Sequence, residues 1–249
     1  MELAVIGTSR KENEKRHPIH PAHLPGIPEN VRKRLHFEAG YGLPFGMQDR
    51  ELEALTGHPP AERRKLLRNS PAVLITKPVI EDFEQMRDGA FVWGWMHSVQ
   101  QRYIAQLGID KKLTLVAWEN MYYESGRELI HTFCRNNEMA GYCGVQHALE
   151  VMGIDGNFGP ARKAAVISFG SVSRGAIIAL RAHGIHNIAV FTQRPTSLVA
   201  NQIPGVVYKR FVENDSGGFE IVNLDGTRTP MLDVLTEADV IVNGILQNP

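Results

Sequence analysis

The sequence has few of the features that define several protein classes. Its two cysteines, Cys134 and Cys143, lie nine residues apart on one predicted helix and would face roughly opposite sides, so no disulfide is expected between them. A reducing cytoplasm is therefore the predicted compartment. The formal net charge is zero, and no basic tract is long enough to bind nucleic acid, which argues against a polyanionic partner.

Long apolar runs and targeting signals are also missing. No apolar run reaches the span of a bilayer, and the first residues, MELAVIG, enter a strand without a signal-peptide pattern. His17, His20 and His23 are spaced by three, but Pro18 and Pro21 prevent the helix that would align them. We therefore predict neither membrane insertion nor a metal at these histidines.

What the sequence does contain is a repeated alternation of short apolar strands and helices. This rhythm predicts mostly parallel sheets with right-handed crossovers. We predict an α/β fold of two Rossmann-like domains, residues 1–133 and 134–249, with a cleft between them and a connecting helix over Glu128–Met152. Because a dinucleotide-binding domain usually has further strands, we expect the second domain to be incomplete at the C-terminus, in a truncated or naturally short form.

Three predicted strands of the first domain end in residues that can do chemistry. Lys77, His97 and Glu119 each follow a strand, and Arg16 lies in the loop after the first strand, Leu3 to Ile6. Ligands of parallel sheets bind at the carboxyl ends of the strands. The convergence of these residue types, more than any one of them, predicts an active site in the first domain.

The stretch from Ala164 to Arg194 is predicted to form a β-α-β unit. Its glycine turn precedes an apolar helix, so the backbone N–H groups at the helix start could hold a pyrophosphate. The predicted cofactor-binding residues of the turn are Gly170, Ser171, Val172, Ser173, Arg174 and Gly175. Val172 replaces the second glycine of the dinucleotide fingerprint, and any parallel α/β unit with a glycine turn remains an alternative.

The end of the second strand of this unit indicates which dinucleotide binds. NAD-specific folds carry an acidic residue there, whereas this sequence reads Thr192–Gln193–Arg194. Thr192 and Arg194 are the predicted cofactor-binding residues here. Arg194 could pair with a 2′-phosphate, with help from Arg174 or Ser173, so we predict NADPH. The alternative is that Arg194 is a solvated surface residue.

Several segments resemble the alanine dehydrogenase and pyridine nucleotide transhydrogenase superfamily, and within it the N5-(carboxyethyl)ornithine synthase family. They cover nearly the whole chain and read ENEKR (12–16), FEAGYG (37–42), GWMHSVQ (94–100), AWENM (117–121), RNNEMAG (135–141) and GSVSRGA (170–176). The resemblance implies that Arg16 and Lys77 bind a substrate carboxylate and that the catalytic residues are His97, as the acid–base group, and Lys77. It also implies a substrate-binding role for Glu119, to orient Lys77 or bind an amine. The superfamily's later catalytic aspartate would fall beyond Pro249.

By this resemblance we expect an NADP-dependent oxidoreductase that condenses pyruvate with a side-chain amine such as that of ornithine. Reduction of the resulting imine would give an N-(1-carboxyethyl) amino acid. An alanine dehydrogenase-like enzyme that uses ammonia, and a non-catalytic dinucleotide-binding module or subunit, remain alternatives. The expected partners are a 2-oxo acid, an amino acid and further copies of the chain in a homo-oligomer.

Overall fold

A five-stranded parallel sheet forms the centre of the first part of the chain. The computed structural model describes residues 1–126 and 128–245. The strands are β1 (Leu3–Ile6), β2 (Leu35–Phe37), β3 (Ala72–Ile75), β4 (Phe91–Gly94) and β5 (Thr114–Ala117). They lie in the order β2-β1-β3-β4-β5. All four neighbouring pairs are parallel.

Five helices accompany this sheet: α1 (Glu29–Arg32), α2 (Asp49–Thr56), α3 (Arg63–Asn69), α4 (Ile80–Gln85) and α5 (Arg102–Asp110). Strands buried on both faces read as continuous apolar runs, and β3 is buried at all four positions. The order of the strands reverses between β1 and β3. In open parallel sheets, such a reversal creates a crevice at the carboxyl ends of the strands.

The chain divides into two compact units, Met1–Tyr122 and Tyr123–Pro249, so the division falls before the predicted boundary after residue 133. A two-stranded sheet of β6 (Tyr122–Ser125) and β7 (Glu128–His131) starts at this division of the chain. The helix predicted over Glu128–Met152 is therefore wrong in its first turns. Its segment Glu128–His131 pairs with β6, and α6 spans Cys134–Met152.

The second unit is built on a six-stranded mixed sheet. Its strands are β8 (Lys163–Ile167), β9 (Asn187–Thr192), β10 (Val207–Glu213), β11 (Phe219–Val222), β12 (Arg228–Pro230) and β13 (Val240–Asn243). The spatial order is β12-β11-β10-β9-β8-β13. The run β10-β9-β8-β13 is parallel and has the 3-2-1-4 order of a Rossmann fold, whereas β11 and β12 are antiparallel additions.

Helix α7 (Ser171–Ala182) crosses from β8 to β9, and α8 (Met231–Leu235) precedes β13. The predicted β-α-β unit is thereby confirmed, with one correction. Residues Ser171 to Gly175 are the first turns of α7 and not a separate turn, because the helix begins directly after Gly170. The predicted fold class, two Rossmann-like α/β units, is confirmed. Among the described residues, no helix is long and apolar enough to cross a membrane.

Glycines let α6 and α7 pack backbone to backbone. A Cβ on Gly175 would lie 1.7 Å from the Glu138 carbonyl oxygen, and one on Gly141 would lie 1.9 Å from the Val172 carbonyl oxygen. The helices could not come this close with side chains at these positions. This contact explains why the last glycine of the GSVSRG segment is present.

Substitution of Gly175 by alanine is expected to destabilise the protein by about 1–3 kcal/mol, as overpacking does elsewhere. Gly144→Ala is the matched control on α6. A Cβ there meets no atom within 4 Å, so this variant should be stabilised by about 0.5–1 kcal/mol. Urea unfolding of both variants measures the difference. Equal stability of the two variants would contradict the close helix contact.

Candidate active site

The carboxyl ends of three adjacent strands carry the predicted residues of the first unit. Lys77 follows β3, His97 follows β4 and Glu119 follows β5, in the order in which those strands lie in the sheet. The three residues therefore share one edge of the sheet. Arg16 is in the loop that follows β1, the neighbour of β3.

Glu14 brings Arg16 and Lys77 together. The Arg16 guanidinium donates from Nε to Glu14 Oε1 at 2.8 Å and from its terminal nitrogen to Oε2 at 2.6 Å. Lys77 Nζ lies 3.4 Å from the same Oε2. The Glu14 side chain is only 6% exposed, whereas those of Arg16 and Lys77 are 43% and 24% exposed. Two cations thus converge on one carboxylate, with Arg16 in the two-point geometry that guanidinium groups form with carboxylates.

This contact strongly favours the ionised carboxylate. The hydrogen bond from the Arg16 side chain is the main cause that lowers the pKa of Glu14 to about 2, and the charge of Lys77 contributes. Glu14 was not predicted as a site residue. The sequence places it in a loop with four other charged residues between 11 and 16, and no local pattern shows which of them turns inward.

Acidification is expected to remove the stabilisation that Glu14 provides. Because its pKa is lower in the folded chain than the ordinary 4.5, the contribution is complete above about pH 4.5 and is lost as pH falls toward 2. The difference in unfolding free energy between the parent protein and Glu14→Gln should therefore shrink between pH 6 and pH 3. Urea unfolding at several pH values measures it, with the exposed Glu12→Gln as control. A difference independent of pH would contradict the assignment.

Two hydrogen bonds join the loop after β1 to the end of β3. Thr76 Oγ1 donates to the Arg16 carbonyl oxygen at 3.0 Å, and Ser9 Oγ donates to the Lys77 carbonyl oxygen at 2.9 Å. These bonds fix the backbone of both cationic residues. The position of the Arg16–Lys77 pair is therefore built into the crevice between β1 and β3.

A buried ionic network holds the start of the loop after β1. Glu38, which directly follows β2, accepts hydrogen bonds from the backbone N–H groups of Gly7 and Thr8 at 2.9 and 3.0 Å. Arg63 donates to Asp82 at 2.9 Å and to Thr8 Oγ1 at 3.0 Å. Asp82 is fully buried. Sequence reasoning did not identify this network, although the position of Glu38 at a strand end was a usable signal.

His97 lies in a strained and well-supported position. Its φ is +50°, in the left-handed region that residues other than glycine seldom occupy. Its backbone N–H donates to Glu119 Oε1 at 2.6 Å, and the N–H of Met96 donates to Oε2 at 3.3 Å. The His97 ring nitrogen Nδ1 is 3.4 Å from Glu119 Oε1. Glu119 therefore contacts His97, whereas Lys77 contacts Glu14.

The surroundings of the His97 ring set its protonation. Burial is the main cause that lowers the pKa of His97, and the charges of Lys77 and Lys11 lower it further, while Glu119 acts in the opposite direction. The ring is consequently neutral near pH 7. A proton on Nδ1, next to Glu119, leaves Nε2 as the acceptor. Such a ring can exchange a proton with a bound ligand.

In the second unit, Gly170 is exposed and is the N-cap of α7, with Ser171 as the first helical residue. The N–H groups of the first helical turn are available to an anion in this position. Ser173 is placed differently from the prediction. Its side chain is fully buried, beside Gly244, and its hydroxyl has no hydrogen-bond partner among the described residues. The buried Ser173 hydroxyl is thus not positioned as a surface phosphate donor.

The two arginines predicted at this site both contact Phe169, the residue before Gly170. The Arg194 guanidinium donates to the carbonyl oxygen of Phe169 at 2.9 Å. The backbone N–H of Arg194 donates to the hydroxyl of the buried Thr192 at 3.3 Å. Arg174 lies over the Phe169 ring, 4.3 Å from the ring centroid, and donates to the Asn201 carbonyl oxygen at 2.8 Å. The bond to Phe169 uses one of the five donors of Arg194, so an anion at the start of α7 fits these residues.

The fold and the strand-end residues define the chain as a two-unit α/β protein of the Rossmann type. Solved structures that share this fold include the following two. A transhydrogenase from Sinorhizobium meliloti is 18% identical and superposes with a TM-score of 0.64, covering 99% of this chain and 70% of its own. An L-alanine dehydrogenase is 16% identical, with a TM-score of 0.62, and covers 97% of this chain and 65% of its own. No protein-family model matches the chain, and no curated protein sequence matches it either.

At such low identity, the similarity establishes the fold. What the chain binds and which reaction it catalyses depend on its own residues.

Proposed function

We propose that the protein is an NADPH-dependent oxidoreductase that joins a 2-oxo acid to an amine. The substrates are pyruvate and the side-chain amine of an amino acid such as ornithine, and the product is an N-(1-carboxyethyl) amino acid. The observation that carries this proposal is the convergence of Arg16 and Lys77 on one carboxylate. This convergence lies at the carboxyl ends of the sheet strands, where His97 also lies.

The carboxylate of the oxo acid binds where Glu14 now lies. A substrate carboxylate has the same geometry and charge as the Glu14 side chain, and Arg16 and Lys77 already hold such a group. Exchange of Glu14 for substrate keeps both cations paired. The loop with Glu14 therefore shifts when the oxo acid binds.

His97 is the general acid–base residue of the condensation. The amine adds to the carbonyl carbon, the oxygen leaves as water, and an imine forms, so one group must deliver a proton to the departing oxygen. The neutral His97 ring is suited to this because Nε2 can accept the proton that the amine loses as it adds, and the lowered pKa of the ring then favours release of that proton to the departing oxygen. Glu119 holds the backbone of His97 and the Nδ1 side of its ring, and thus orients Nε2 toward the substrate.

The cofactor NADPH supplies the hydride that reduces the imine. The N–H groups at the start of α7 and the Ser171 hydroxyl would hold its pyrophosphate, and Arg194, beside the Phe169 carbonyl oxygen, would hold its 2′-phosphate. The sequence offers no acidic residue at the end of β9 that would favour NADH. The solved structures named above are a transhydrogenase and an alanine dehydrogenase, which agrees with a nicotinamide cofactor.

Arg194→Ala is expected to weaken NADPH binding by roughly 10–150-fold, the equivalent of a hydrogen bond between charged groups of about 1.5–3 kcal/mol. NADH binding should change little, since NADH lacks the 2′-phosphate. Fluorescence titration with both dinucleotides measures the effect. Arg228→Ala, an exposed arginine on β12, is the control. Equal losses for the two dinucleotides, or a preference of the parent protein for NADH, would contradict the assignment.

The amine donor is tested by NADPH oxidation in the presence of pyruvate and either ornithine or ammonia. Faster oxidation with ornithine supports the condensation. Faster oxidation with ammonia instead supports an alanine dehydrogenase-like enzyme, and binding of NADPH without turnover supports a non-catalytic dinucleotide-binding subunit. If ornithine adds nothing to the rate with pyruvate alone, the proposal is wrong.

A further inference from the structure

Three metal-ligating side chains lie together in the first unit, apart from the residues of the candidate active site. Glu2 directly precedes β1, His36 is the central residue of β2, and His58 follows α2. Their nearest ligand atoms are all within 4.8 Å of one another. Within the part of the chain that the structure describes, this is the one group of three or more histidines, cysteines or carboxylates so arranged.

The sheet register brings the first two residues together. Ala4 of β1 lies opposite His36 of β2 in the parallel pairing. Side chains alternate along a strand, so Glu2 is on the same face as Ala4 and diagonal to His36. Glu2 Oε2 is 2.8 Å from His36 Nε2. β2 is the edge strand of its sheet, and the His36 side chain is 30% exposed, which leaves the pair open to an ion from solvent.

His58 is held against this pair by its local sequence. Helix α2 ends at Gly57, with φ +80°, and the next residues are His58–Pro59–Pro60, which restrict the backbone. The buried Thr56 hydroxyl donates to the His58 carbonyl oxygen at 3.2 Å. The centroids of the His58 and His36 rings are 4.3 Å apart, with an angle of 31° between the planes.

One ring nitrogen of His58 has a hydrogen-bond partner outside this group. His58 Nε2 lies 2.8 Å from the Lys33 carbonyl oxygen, so this nitrogen carries the proton and donates. The lone pair of His58 is then on Nδ1. Metal-binding histidines almost always have such an outer partner, because the hydrogen bond fixes both the tautomer and the orientation of the ring.

We propose that Glu2, His36 and His58 form a binding site for Zn²⁺. Two imidazole nitrogens and one carboxylate oxygen are the donors of three-ligand zinc sites, with water as the fourth ligand. A tetrahedral site with zinc–ligand distances near 2.0–2.1 Å places its donor atoms about 3.3 Å apart, and the three atoms here already lie within 4.8 Å of one another. Surface side chains can make the shifts that close this difference.

The place of the proposed ion in the sheet predicts an effect on stability. Glu2 lies at the amino end of β1, whereas the candidate active-site residues follow the carboxyl ends of the strands. The ion would link the segment before β1, the edge strand β2 and the segment after α2. We therefore expect Zn²⁺ to raise thermal stability without changing substrate or NADPH binding.

The test uses metal-free protein with an untagged N-terminus and without a polyhistidine tag. Calorimetric titration with Zn²⁺ near pH 7.5 should show one strong site per chain. His36→Gln and His58→Gln should each weaken it by at least about 100-fold, the upper range for loss of an outer-sphere partner. Zn²⁺ should raise the melting temperature of the parent protein but not of either variant.

His183→Gln is the matched control, because His183 and Asp155 form a comparable histidine–carboxylate pair at 3.7 Å in the second unit. This variant should bind Zn²⁺ as the parent protein does. The proposal is overturned if the parent protein binds no Zn²⁺, or if the two site variants bind it as tightly as His183→Gln. Circular dichroism of each variant verifies folding, and Glu2→Gln gives a third, independent test at an exposed residue.

Discussion

Replacement of His97 by asparagine is expected to lower turnover by roughly 10²–10⁴-fold, the range typical of lost general acid–base catalysis. Asparagine is the informative substitution because it tolerates positive φ better than most residues, and His97 has a φ of +50°. The backbone bonds to Glu119 are preserved, so the loss reports on the ring itself.

Steady-state NADPH oxidation with saturating pyruvate and ornithine measures the effect, and NADPH titration verifies that cofactor binding survives. His20→Asn, an exposed histidine in the loop after β1, is the control and should keep full activity. Activity of His97→Asn within about threefold of the parent protein would remove His97 from the mechanism.

Replacement of Arg16 by lysine is expected to raise the KM for the oxo acid by roughly 10–150-fold, the equivalent of about 1.5–3 kcal/mol for one lost hydrogen bond between charged groups. Lysine keeps the positive charge but not the two-point geometry that Arg16 shows toward Glu14. The hydride-transfer step itself should be less affected, since the guanidinium binds the carboxylate and not the reacting carbon.

Initial rates over a range of pyruvate concentrations separate KM from kcat. Arg10→Lys, at an exposed position of the same loop, is the matched control. An unchanged KM in Arg16→Lys, or an equal increase in Arg10→Lys, would show that the carboxylate binds elsewhere.

Much of the fold was predictable because buried parallel strands are short, continuous apolar runs. β1, for example, was predicted with its observed bounds, Leu3–Ile6. The helix over Glu128–His131 was wrong because pairing between β6 and β7 decides that segment, and such pairing leaves no helical or strand period in so short a run. The start of α7 was missed because glycine and serine at 170 and 171 resemble a turn, although they cap and begin a helix.

The candidate site was predictable in part for a related reason. Residues at strand ends, such as Lys77 and His97, are marked by the apolar run before them. Glu14 has no such mark, since it becomes buried only when its loop folds over the end of β3. The burial of Ser173 likewise depends on Gly244, a residue far along the chain.

The same limit applies to Glu2, His36 and His58. Sequence reasoning looked for metal ligands among His17, His20 and His23, which are close in the chain. The structure instead brings together residues that are 34 and 22 positions apart, through the register of β1 with β2 and the turn after α2. Spacing within one segment cannot show such a group.

The most direct test of the proposed reaction follows the hydride. The protein is incubated with pyruvate, ornithine and NADPH that carries deuterium at the transferable position of the nicotinamide, and the products are analysed by mass spectrometry. The proposal predicts an N-(1-carboxyethyl) amino acid with one deuterium on the carbon newly bonded to nitrogen. Deuterium found in lactate, or none transferred to any product while NADPH binds, would contradict it.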